Sequence, residues 1–458
     1  MGLASGAVSQ QIPLDTRYEI QRPVASDKKA DHATVAMNDD GDILVTWVAE
    51  EDTPNPGKKI EAAFFSRASA GNLWDIHPSF EISHAASVVP LSSKREKPDV
   101  VSLGQDFLVA WTRERSGFDV LECAIVRPPS VTMTAHPVVV FDANGMPFQL
   151  DGSLNMKRNA GVVDLACRPD GVGAASYVSF KSVTTVNEGD EISLYLRGVV
   201  FQWDKLNGVL SVATTPMILD TFRFDEAIAW PITETDFGRG LPDCVFNGDG
   251  ELVVSHEEFE IVDNADDASR IQLQWFDVGI GGTLTETRSQ AFSDRGIQDS
   301  PNPQRRPNLV ASEDDSSLLA LTWGNALHPE EQFVALHWPA GGNLDYHHLQ
   351  LTPSSLQNKF YYSSPALFDG TFPGSYQARV VSSRRDGPGM VATLGRFEID
   401  SGVPTGPVDD PQFSNLNFWR PALAVKRLGT EFFHALTVEG KIQNPNNLQR
   451  IHLVISDT

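Results

Sequence analysis

Two aspartates in the same local context are the residues best suited to chemistry in this sequence. Asp99 and Asp243 each follow a proline and open a short apolar segment, "PDVVSL" and "PDCVFN", and Asn308 takes the same place in "PNLVAS". Carboxylates held close together raise the pKa of one of them, so that one can donate a proton while the other accepts one. The alternative is structural, since an aspartate at the start of a strand can accept backbone N–H bonds.

A second group combines aromatic rings with carboxylates. The segment "FDEAIAWPITETDFGRG" places Trp230 and Phe237 beside the acidic residues Asp225, Glu226 and Asp236. A ring offers a stacking surface and a carboxylate accepts hydrogen bonds, which suits the face of a sugar or a cationic partner. These five residues are therefore candidates for ligand binding. The alternative is an insertion that packs over the neighbouring repeat.

The sequence contains none of the common catalytic or nucleotide-binding signatures, such as H-E-x-x-H, G-x-S-x-G, Walker A or G-x-G-x-x-G. The acidic stretches at 38–42 and 247–250 contain oxygen ligands that calcium could use. However, Asp, Asn and Gly are also the residues that tight turns require, and we interpret both stretches as turns. We assign no catalytic residue, no metal site and no cofactor, and the sequence favours a protein without enzymatic activity.

A repeat of short apolar segments organises the chain. The segments start at His32, Pro98, Gly161, Pro242, Pro307, Pro365 and Pro421. Each is followed by a Gly/Asp/Asn turn, a second apolar segment, a polar loop, a third strand-like segment and a weaker fourth, which is the pattern of antiparallel strands. Proline suits the first position of a strand, where its missing N–H is not needed by the ladder.

Seven four-stranded units without linkers predict an all-β fold, a single seven-bladed β-propeller. We assign residues 18–458 to the propeller, with blades starting near 32, 98, 161, 242, 307, 365 and 421, and residues 1–17 to an N-terminal arm. The last blade is expected to close by pairing "YEIQRPVAS" with "QRIHLVIS". The residue after each start should face the axis, so Asp99, Asp243 and Asn308 are predicted to line the central channel. We expect Trp47, Trp111 and Trp323 to pack between blades.

Two stretches resemble the propeller repeats of bacterial surface and secreted proteins. They are "PDVVSLGQDFLVAW" and "HATVAMNDDGDILVTW", the latter continued by "IEAAFFSRASAGN". The resemblance to these seven-bladed proteins is good in the first, second and fifth units and weaker in the others. It implies a fold rather than an activity, because propellers carry many functions.

Composition excludes two classes of partner. Sixty acidic residues against 36 basic ones give a net charge of -24, which repels nucleic acid phosphates and anionic lipid headgroups. No window approaches the roughly 18 apolar residues needed to span a bilayer, and the first residues lack the features of a signal peptide. We expect a cytoplasmic protein or part of an assembled particle, or a secreted protein whose leader has been removed. Cys123, Cys167 and Cys244 are expected to be buried thiols.

The leading hypothesis is a non-catalytic propeller that serves as an interaction or structural module, a component of a virion, an appendage or a cell-surface assembly. Its protein partner would bind the acidic loop face or the N-terminal arm. Two alternatives stay open. One is a lectin-like propeller that binds carbohydrate, and the other is a glycoside hydrolase or lyase that uses two carboxylates in a cleft.

Overall fold

The structure is a computed structural model that describes most of the chain between residues 11 and 457. The described residues are 11–20, 30–50, 58–68, 72–83, 98–115, 118–129, 137–142, 148–149, 164–169, 175–188, 191–204, 206–207, 209–212, 217–225, 243–260, 268–279, 283–298, 304–312, 315, 317–325, 331–339, 341–351, 360–369, 376–386, 389–398, 404–409, 417–441 and 449–457. Within them the chain forms strands and turns and no helix, so the all-β prediction is confirmed.

The strands of the described residues form seven antiparallel sheets, numbered here in chain order. Sheet 1 contains β1 (Gln11–Pro13), β3 (Ala30–Met37), β4 (Ile43–Glu50), β5 (Lys58–Arg67), β6 (Leu73–Ile76) and β7 (Phe80–Glu81). Sheet 2 contains β8 (Asp99–Leu103), β9 (Asp106–Arg115), β10 (Phe118–Arg127), β11 (Val138–Val140) and β12 (Phe148–Gln149). Sheet 3 contains β13 (Asp164–Pro169), β14 (Ala175–Glu188), β15 (Glu191–Asp204), β16 (Val209–Val212) and β17 (Met217–Asp225).

The remaining four sheets have four strands each. Sheet 4 contains β18 (Asp243–Phe246), β19 (Leu252–Glu260), β20 (Ala268–Val278) and β21 (Leu284–Phe292). Sheet 5 contains β22 (Gln304–Ala311), β23 (Leu318–Asn325), β24 (Glu331–His337) and β25 (Asp345–Leu351). Sheet 6 contains β26 (Phe360–Asp369), β27 (Tyr376–Asp386), β28 (Gly389–Glu398) and β29 (Pro404–Asp409). Sheet 7 contains β2 (Tyr18–Glu19), β30 (Asn417–Leu428), β31 (Glu431–Lys441) and β32 (Gln449–Asp457).

The sheets are arranged as in a propeller. The first strands contact one another in chain order, from β3 to β8, β13, β18, β22, β26 and β30, and β30 contacts β3 again. This order places the first strands nearest the axis and the last strands at the rim. Five blades of the arrangement are recognised within the described residues, whereas the repeat predicts seven.

The N-terminal residues contribute strands to two sheets. β2 pairs with β32, with Tyr18 opposite Leu453 and Glu19 opposite His452, so the predicted pairing of the two chain ends is present. β1 pairs with β6 in sheet 1, with Ile12 opposite Trp74. Residues 11–13, which the sequence assigns to an N-terminal arm, therefore form the outer edge of sheet 1.

Three of the anchor prolines lie inside strands rather than at their first residue. Pro307 and Pro421 fall where β22 and β30 shift register against their partners, between Arg305 and Asn308 and between Trp419 and Ala422. A β-bulge leaves an extra residue out of the ladder, so proline costs no hydrogen bond there. The same shift occurs in β3, where His32 has a φ of +55°. Pro365 lies inside β26, which is an inner edge strand.

Tryptophans fill the spaces between neighbouring sheets, as predicted. Trp47, Trp111 and Trp323 are fully buried. Trp47 shares a core cluster with Phe433 of sheet 7, Trp111 shares one with residues of sheet 1, and Trp323 shares one with residues of sheet 4. The indole N–H groups donate to Glu61 (3.0 Å), Glu122 (3.3 Å) and Gln304 (2.6 Å) respectively.

The three cysteines carry free thiols. Cys123 and Cys244 are buried and Cys167 is half-buried, close to the expectation from sequence. Nowhere in the described part of the chain is there a helix of the length and apolar character needed to cross a bilayer.

Candidate functional site

One position near the axis is polar in five consecutive sheets. This position is on the first strand of each sheet, and in four of the sheets its partner is an equivalent residue of the second strand. Thr34 pairs with Thr46, Asp99 with Ala110, Asp243 with Ser255 and Asn308 with Thr322. In sheet 3 the first strand begins at Asp164, and in sheets 6 and 7 the position is taken by Ala366 and Ala422. We call Thr34, Asp99, Asp164, Asp243 and Asn308 the axial arc. All five are partly exposed.

The sequence analysis named three members of the axial arc and did not name Thr34 or Asp164. Asp99, Asp243 and Asn308 lie at the equivalent position of the inner strands, and the lining of a central channel by these residues stays a prediction. Asp164 was missed because the anchor at Gly161, which lies outside the described residues, is too early. The signal was present, since "DLA" at 164 matches "DVV" at 99 and "DCV" at 243. Thr34 was missed because the bulge at His32 displaces β3 from the repeat.

The two predicted aspartates bind the backbone of the next sheet. Oδ2 of Asp99 accepts the N–H of Leu165 at 2.7 Å, and Oδ2 of Asp243 accepts the N–H of Leu309 at 2.6 Å. The two bonds span the same sequence separation of 66 residues. Each aspartate thus accepts a hydrogen bond from a backbone N–H of the adjacent inner strand. That N–H is not used in the hydrogen-bond ladder of its own sheet. This arrangement matches the structural alternative stated for these residues.

Two other pairs of neighbouring sheets are joined by the same kind of hydrogen bond, with a different side chain as the acceptor. Oγ of Ser364 accepts the N–H of Leu423 at 3.2 Å, which joins sheet 6 to sheet 7. Oε1 of the buried Glu439 accepts the N–H of Ala33 at 3.3 Å, which joins sheet 7 to sheet 1. A side-chain acceptor on one sheet and a backbone donor on the next therefore recur around the ring.

Electrostatics single out Asp99 within the axial arc. Burial raises the pKa of Asp99 to about 7, and the nearby carboxylate of Asp243 adds to the rise, while the backbone N–H groups of Leu165 and Val100 oppose it. The hydroxyl of Thr34 also donates to Oδ1 of Asp99, at 3.3 Å. Asp99 therefore holds a proton up to near-neutral pH, which is the property of a carboxyl that can act as a general acid.

The acidic stretches form turns, as predicted. Oδ1 of Asn38 accepts the N–H groups of Asp40 (3.0 Å) and Asp42 (2.8 Å). Oδ1 of Asn247 accepts those of Asp249 (3.1 Å) and Glu251 (2.9 Å) in the same way. This is the local bonding that makes Asn a turn residue. Among the residues that the structure describes, no group of three His, Cys, Asp or Glu side chains is placed to hold a metal ion.

The predicted aromatic and acidic cluster falls largely outside the described part of the chain. Glu226, Trp230, Asp236 and Phe237 lie outside it, and of Asp225 only the backbone is described, at the end of β17 and opposite Glu191. Ligand binding by these residues stays a prediction. The loops of the predicted acidic face lie mostly outside the described residues as well.

Comparison with known proteins gives similarity of fold alone. No family model and no curated protein matches the sequence. Among solved structures, a prolyl endopeptidase is 11% identical over 92% of this chain and 48% of its own, with a TM-score of 0.41. The haemagglutinin-neuraminidase ectodomain of parainfluenza virus 5 is 7% identical over 81% of this chain and 84% of its own, with a TM-score of 0.42. A lectin of Aleuria aurantia is 8% identical over 96% of each chain, with a TM-score of 0.38.

The chain spans about half the length of the prolyl endopeptidase that it matches. Identities and TM-scores at this level assign no activity, ligand or partner. The chain is similar to these proteins in its arrangement of strands.

Proposed function

We propose that this chain is a seven-bladed, non-catalytic propeller that serves as an interaction or structural module within a larger assembly. The count of seven is supported by the seven sheets of the described residues and by the closed circuit of contacts between their first strands. It is further supported by the repeat of seven apolar segments in the sequence.

The observation that carries the non-catalytic assignment is the use of the axial aspartates. Both carboxylate oxygens of Asp243 accept backbone N–H bonds, Oδ1 from Cys244 at 2.8 Å and Oδ2 from Leu309 at 2.6 Å. Oδ2 of Asp99 accepts a backbone bond in the same way. A catalytic carboxylate has to direct an oxygen at its substrate. Oxygens engaged by the neighbouring sheet instead fix the spacing of the inner strands.

The binding surface that we propose is the face formed by the loops between second and third strands. These loops include "EEDTPNPGKK" and "EEFEIVDNADDAS", and the whole chain carries a net charge of -24. An acidic loop face attracts a basic protein partner and accelerates its association. A component of a virion, appendage or cell-surface assembly would use such a face, together with the N-terminal residues, to contact its neighbours.

Charge-matched variants test this proposal. D263N/D266N/D267N removes three carboxylates from the proposed face, and D40N/D249N/E431Q removes three exposed carboxylates from turns at the opposite ends of the strands. We expect the yield of cross-linked partner in natively purified material to fall at least tenfold for the first variant and to be unchanged for the second. A monodisperse monomer that captures no partner, or an equal loss in both variants, would contradict the proposal.

A second candidate is a hydrolase or lyase in which Asp99 and Asp243 act as acid and base. The observation that favours it is the raised pKa of Asp99, to which the carboxylate of Asp243 contributes. A panel of glycosides tests it with D99N and D243N. Turnover that neither substitution alters would exclude both assignments.

The carbohydrate-binding alternative depends on Trp230 and Phe237. A glycan array with the full chain tests it, and W230A/F237A is the variant that should abolish any signal. The absence of binding to every glycan would remove this alternative.

A further inference from the structure

The outer part of sheet 1 brings a serine hydroxyl and an imidazole together. Oγ of Ser66 lies 2.7 Å from Nε2 of His77. Ser66 is the penultimate residue of β5, and His77 directly follows β6. Both residues are half-buried, so each keeps contact with solvent. A serine within hydrogen-bond reach of a histidine is the arrangement by which a protein makes a hydroxyl group nucleophilic.

Paired strands hold the two side chains in this position. β5 and β6 are in a register that places Ser66 opposite Asp75. The N–H of His77 donates to the carbonyl of Phe64 at 3.1 Å, which extends the pairing by one more row of residues. His77 therefore lies diagonally across from Ser66 on the same face of the sheet. Its imidazole packs against the ring of Phe64, with the ring centroids 5.2 Å apart.

The pair is separate from the axial arc and from the proposed binding face. The axial arc is on first strands, whereas β5 and β6 are outer strands of sheet 1. Ser66 is near the end of β5, and the loop between β4 and β5 precedes the start of this strand at Lys58. The face that carries the pair is turned towards sheet 2, because Phe64 packs edge-on against Phe107 at 6.3 Å.

We propose that Ser66 is a site of covalent acylation, at which Oγ takes the acyl group of an activated ester. In the tautomer with its proton on Nδ1, Nε2 of His77 accepts the hydrogen of the hydroxyl while Oγ forms a bond to the carbonyl carbon. The bond between this carbon and the leaving oxygen then breaks, and the proton passes from His77 to that oxygen. The products are an ester on Ser66 and a free alcohol, so the step requires no oxidant or reductant.

The backbone around Ser66 favours retention of the acyl group over its release. Hydrolysis of an acyl-serine is fast where free N–H groups point at the developing oxyanion. Here the N–H of Arg67 donates to Oδ1 of Asp42 at 2.8 Å, and the N–H of His77 is engaged by Phe64. Without these two donors, acylation needs an ester with a good leaving group and release by water is slow. Ser66 therefore acts as an acceptor, and the proposal does not depend on the partner proposed for the loop face.

Reaction of the full chain with p-nitrophenyl acetate tests the proposal, with acetylation of each serine followed by peptide mass spectrometry. We expect Ser66 to be acetylated at least tenfold faster than Ser289, an exposed serine of β21. H77Q should lower the rate at Ser66 to that of Ser289, whereas H347Q, which changes an exposed histidine, should leave it unchanged. Equal rates at the two serines of the unmodified chain, or an unchanged rate at Ser66 in H77Q, would overturn the proposal.

Two measurements on the unmodified chain cover the case in which H77Q does not fold. In urea the chain unfolds and separates Ser66 from His77, so the faster acetylation of Ser66 should disappear. If it persists, the local sequence and not the folded pair is responsible, and the proposal fails. Release of p-nitrophenolate should match the amount of acetyl-Ser66 formed. Continued release that S66A abolishes would show turnover and would overturn the assignment of Ser66 as an acceptor.

Discussion

Asp99 keeps its proton towards neutral pH because burial, reinforced by the carboxylate of Asp243, raises its pKa to about 7. The folded state then binds the proton more tightly than the unfolded state. The stability from this site is complete below the ordinary pKa of 3.8 and is lost as the pH rises through 7. The partial exposure of Asp99 makes about 4 kcal/mol an upper limit for this loss.

D99N should remove this dependence while its side-chain carbonyl still accepts the N–H of Leu165. We expect the difference in unfolding free energy between the unmodified chain and D99N to move in favour of D99N as the pH rises from 4 to 8. Urea denaturation across this range measures it, with D40N at an exposed turn carboxylate as the control. Parallel curves for the unmodified chain and D99N would show that Asp99 titrates in its ordinary range.

Arg288 is the cation of an ion pair between two tryptophans. Its Nη2 lies 2.6 Å from Oε2 of Glu251. Its guanidinium lies 5.4 Å from the ring centroids of both Trp275 in sheet 4 and Trp338, which directly follows β24 of sheet 5. The side chains of Arg288 and Glu251 are 13% and 9% exposed. Arg288 therefore links the ion pair, which lies within sheet 4, to Trp338 beside sheet 5 in a place that water barely reaches.

R288M should destabilise the protein by about 2 kcal/mol, because it removes the cation that faces the Glu251 carboxylate and the cation–π contacts. The hydrogen bonds that Asn247 and Thr287 donate to Glu251 do not replace the lost charge. E251Q/R288M should regain part of this loss, since it removes the uncompensated charge. K59M is the control. Lys59 forms a more exposed ion pair with Glu81 at 3.1 Å, so its loss should lower the free energy of unfolding by less than about 1 kcal/mol. Equal losses in R288M and K59M would contradict the assignment.

Sequence patterns identify residues that repeat and miss residues that meet through folding. Asp99 and Asp243 were found because each follows a proline and opens an apolar segment. Arg288 and Glu251 lie 37 residues apart and in no shared motif. Their pairing depends on how a turn of sheet 4 lies against its own outer strand. A sequence pattern carries no signal for such a contact.

The turn between β3 and β4 interlocks three sheets. The N–H of Asp39 donates to the carbonyl of Gly104 in sheet 2 at 3.0 Å, and its carboxylate pairs with Lys426 of sheet 7 at 2.9 Å. Gly41 in this turn has a φ of +83°, and a Cβ there would lie 2.5 Å from Cδ1 of Leu428 in sheet 7. The turn therefore requires glycine both for its backbone and for the close approach of its neighbour.

G41A should cost about 3 kcal/mol, since it combines a strained backbone with overpacking against Leu428. G341A is a matched control, because Gly341 has a φ of +72° and a Cβ there would meet nothing within 4 Å. It should cost about 1 kcal/mol, from the backbone alone. Thermal and urea unfolding of both variants measure the difference. Equal costs would show that sheets 1 and 7 do not meet at this turn.

The order of strands and turns can be predicted from the sequence, because alternating apolar and polar residues and Gly/Asp/Asn turns are short-range patterns. The β-bulges cannot be predicted in this way, although they determine where the prolines lie. Pro307 and Pro421 were placed at the first residue of a strand, whereas each occupies a bulge inside one. Both sites tolerate a missing N–H, so the residue type alone cannot distinguish them.

The ring as a whole depends on a seam that the sequence predicted in part. Pairing of residues near Tyr18 with the C-terminal strand was expected, because the two incomplete ends together make one repeat unit. The pairing of β1 with sheet 1 was missed, since three residues with one apolar side chain have no measurable periodicity. Residues 11–20 thus pair with both sheets at the seam, whereas a single strand was expected to pair with sheet 7 alone.

Removal of residues 11–20 should therefore affect the whole molecule. Deletion of residues 1–20 exposes the surface covered by Ile12 and Ile20, worth about 2 kcal/mol for each side chain, and leaves the outer edges of β6 and β32 open. We expect a loss of at least about 4 kcal/mol in unfolding free energy and concentration-dependent association through the two open edges. Urea denaturation and light scattering measure these effects, with deletion of residues 1–10 as the control. If the two deletion variants unfold at the same urea concentration and stay monomeric, the seam is closed by sheets 1 and 7 themselves and residues 11–20 are dispensable.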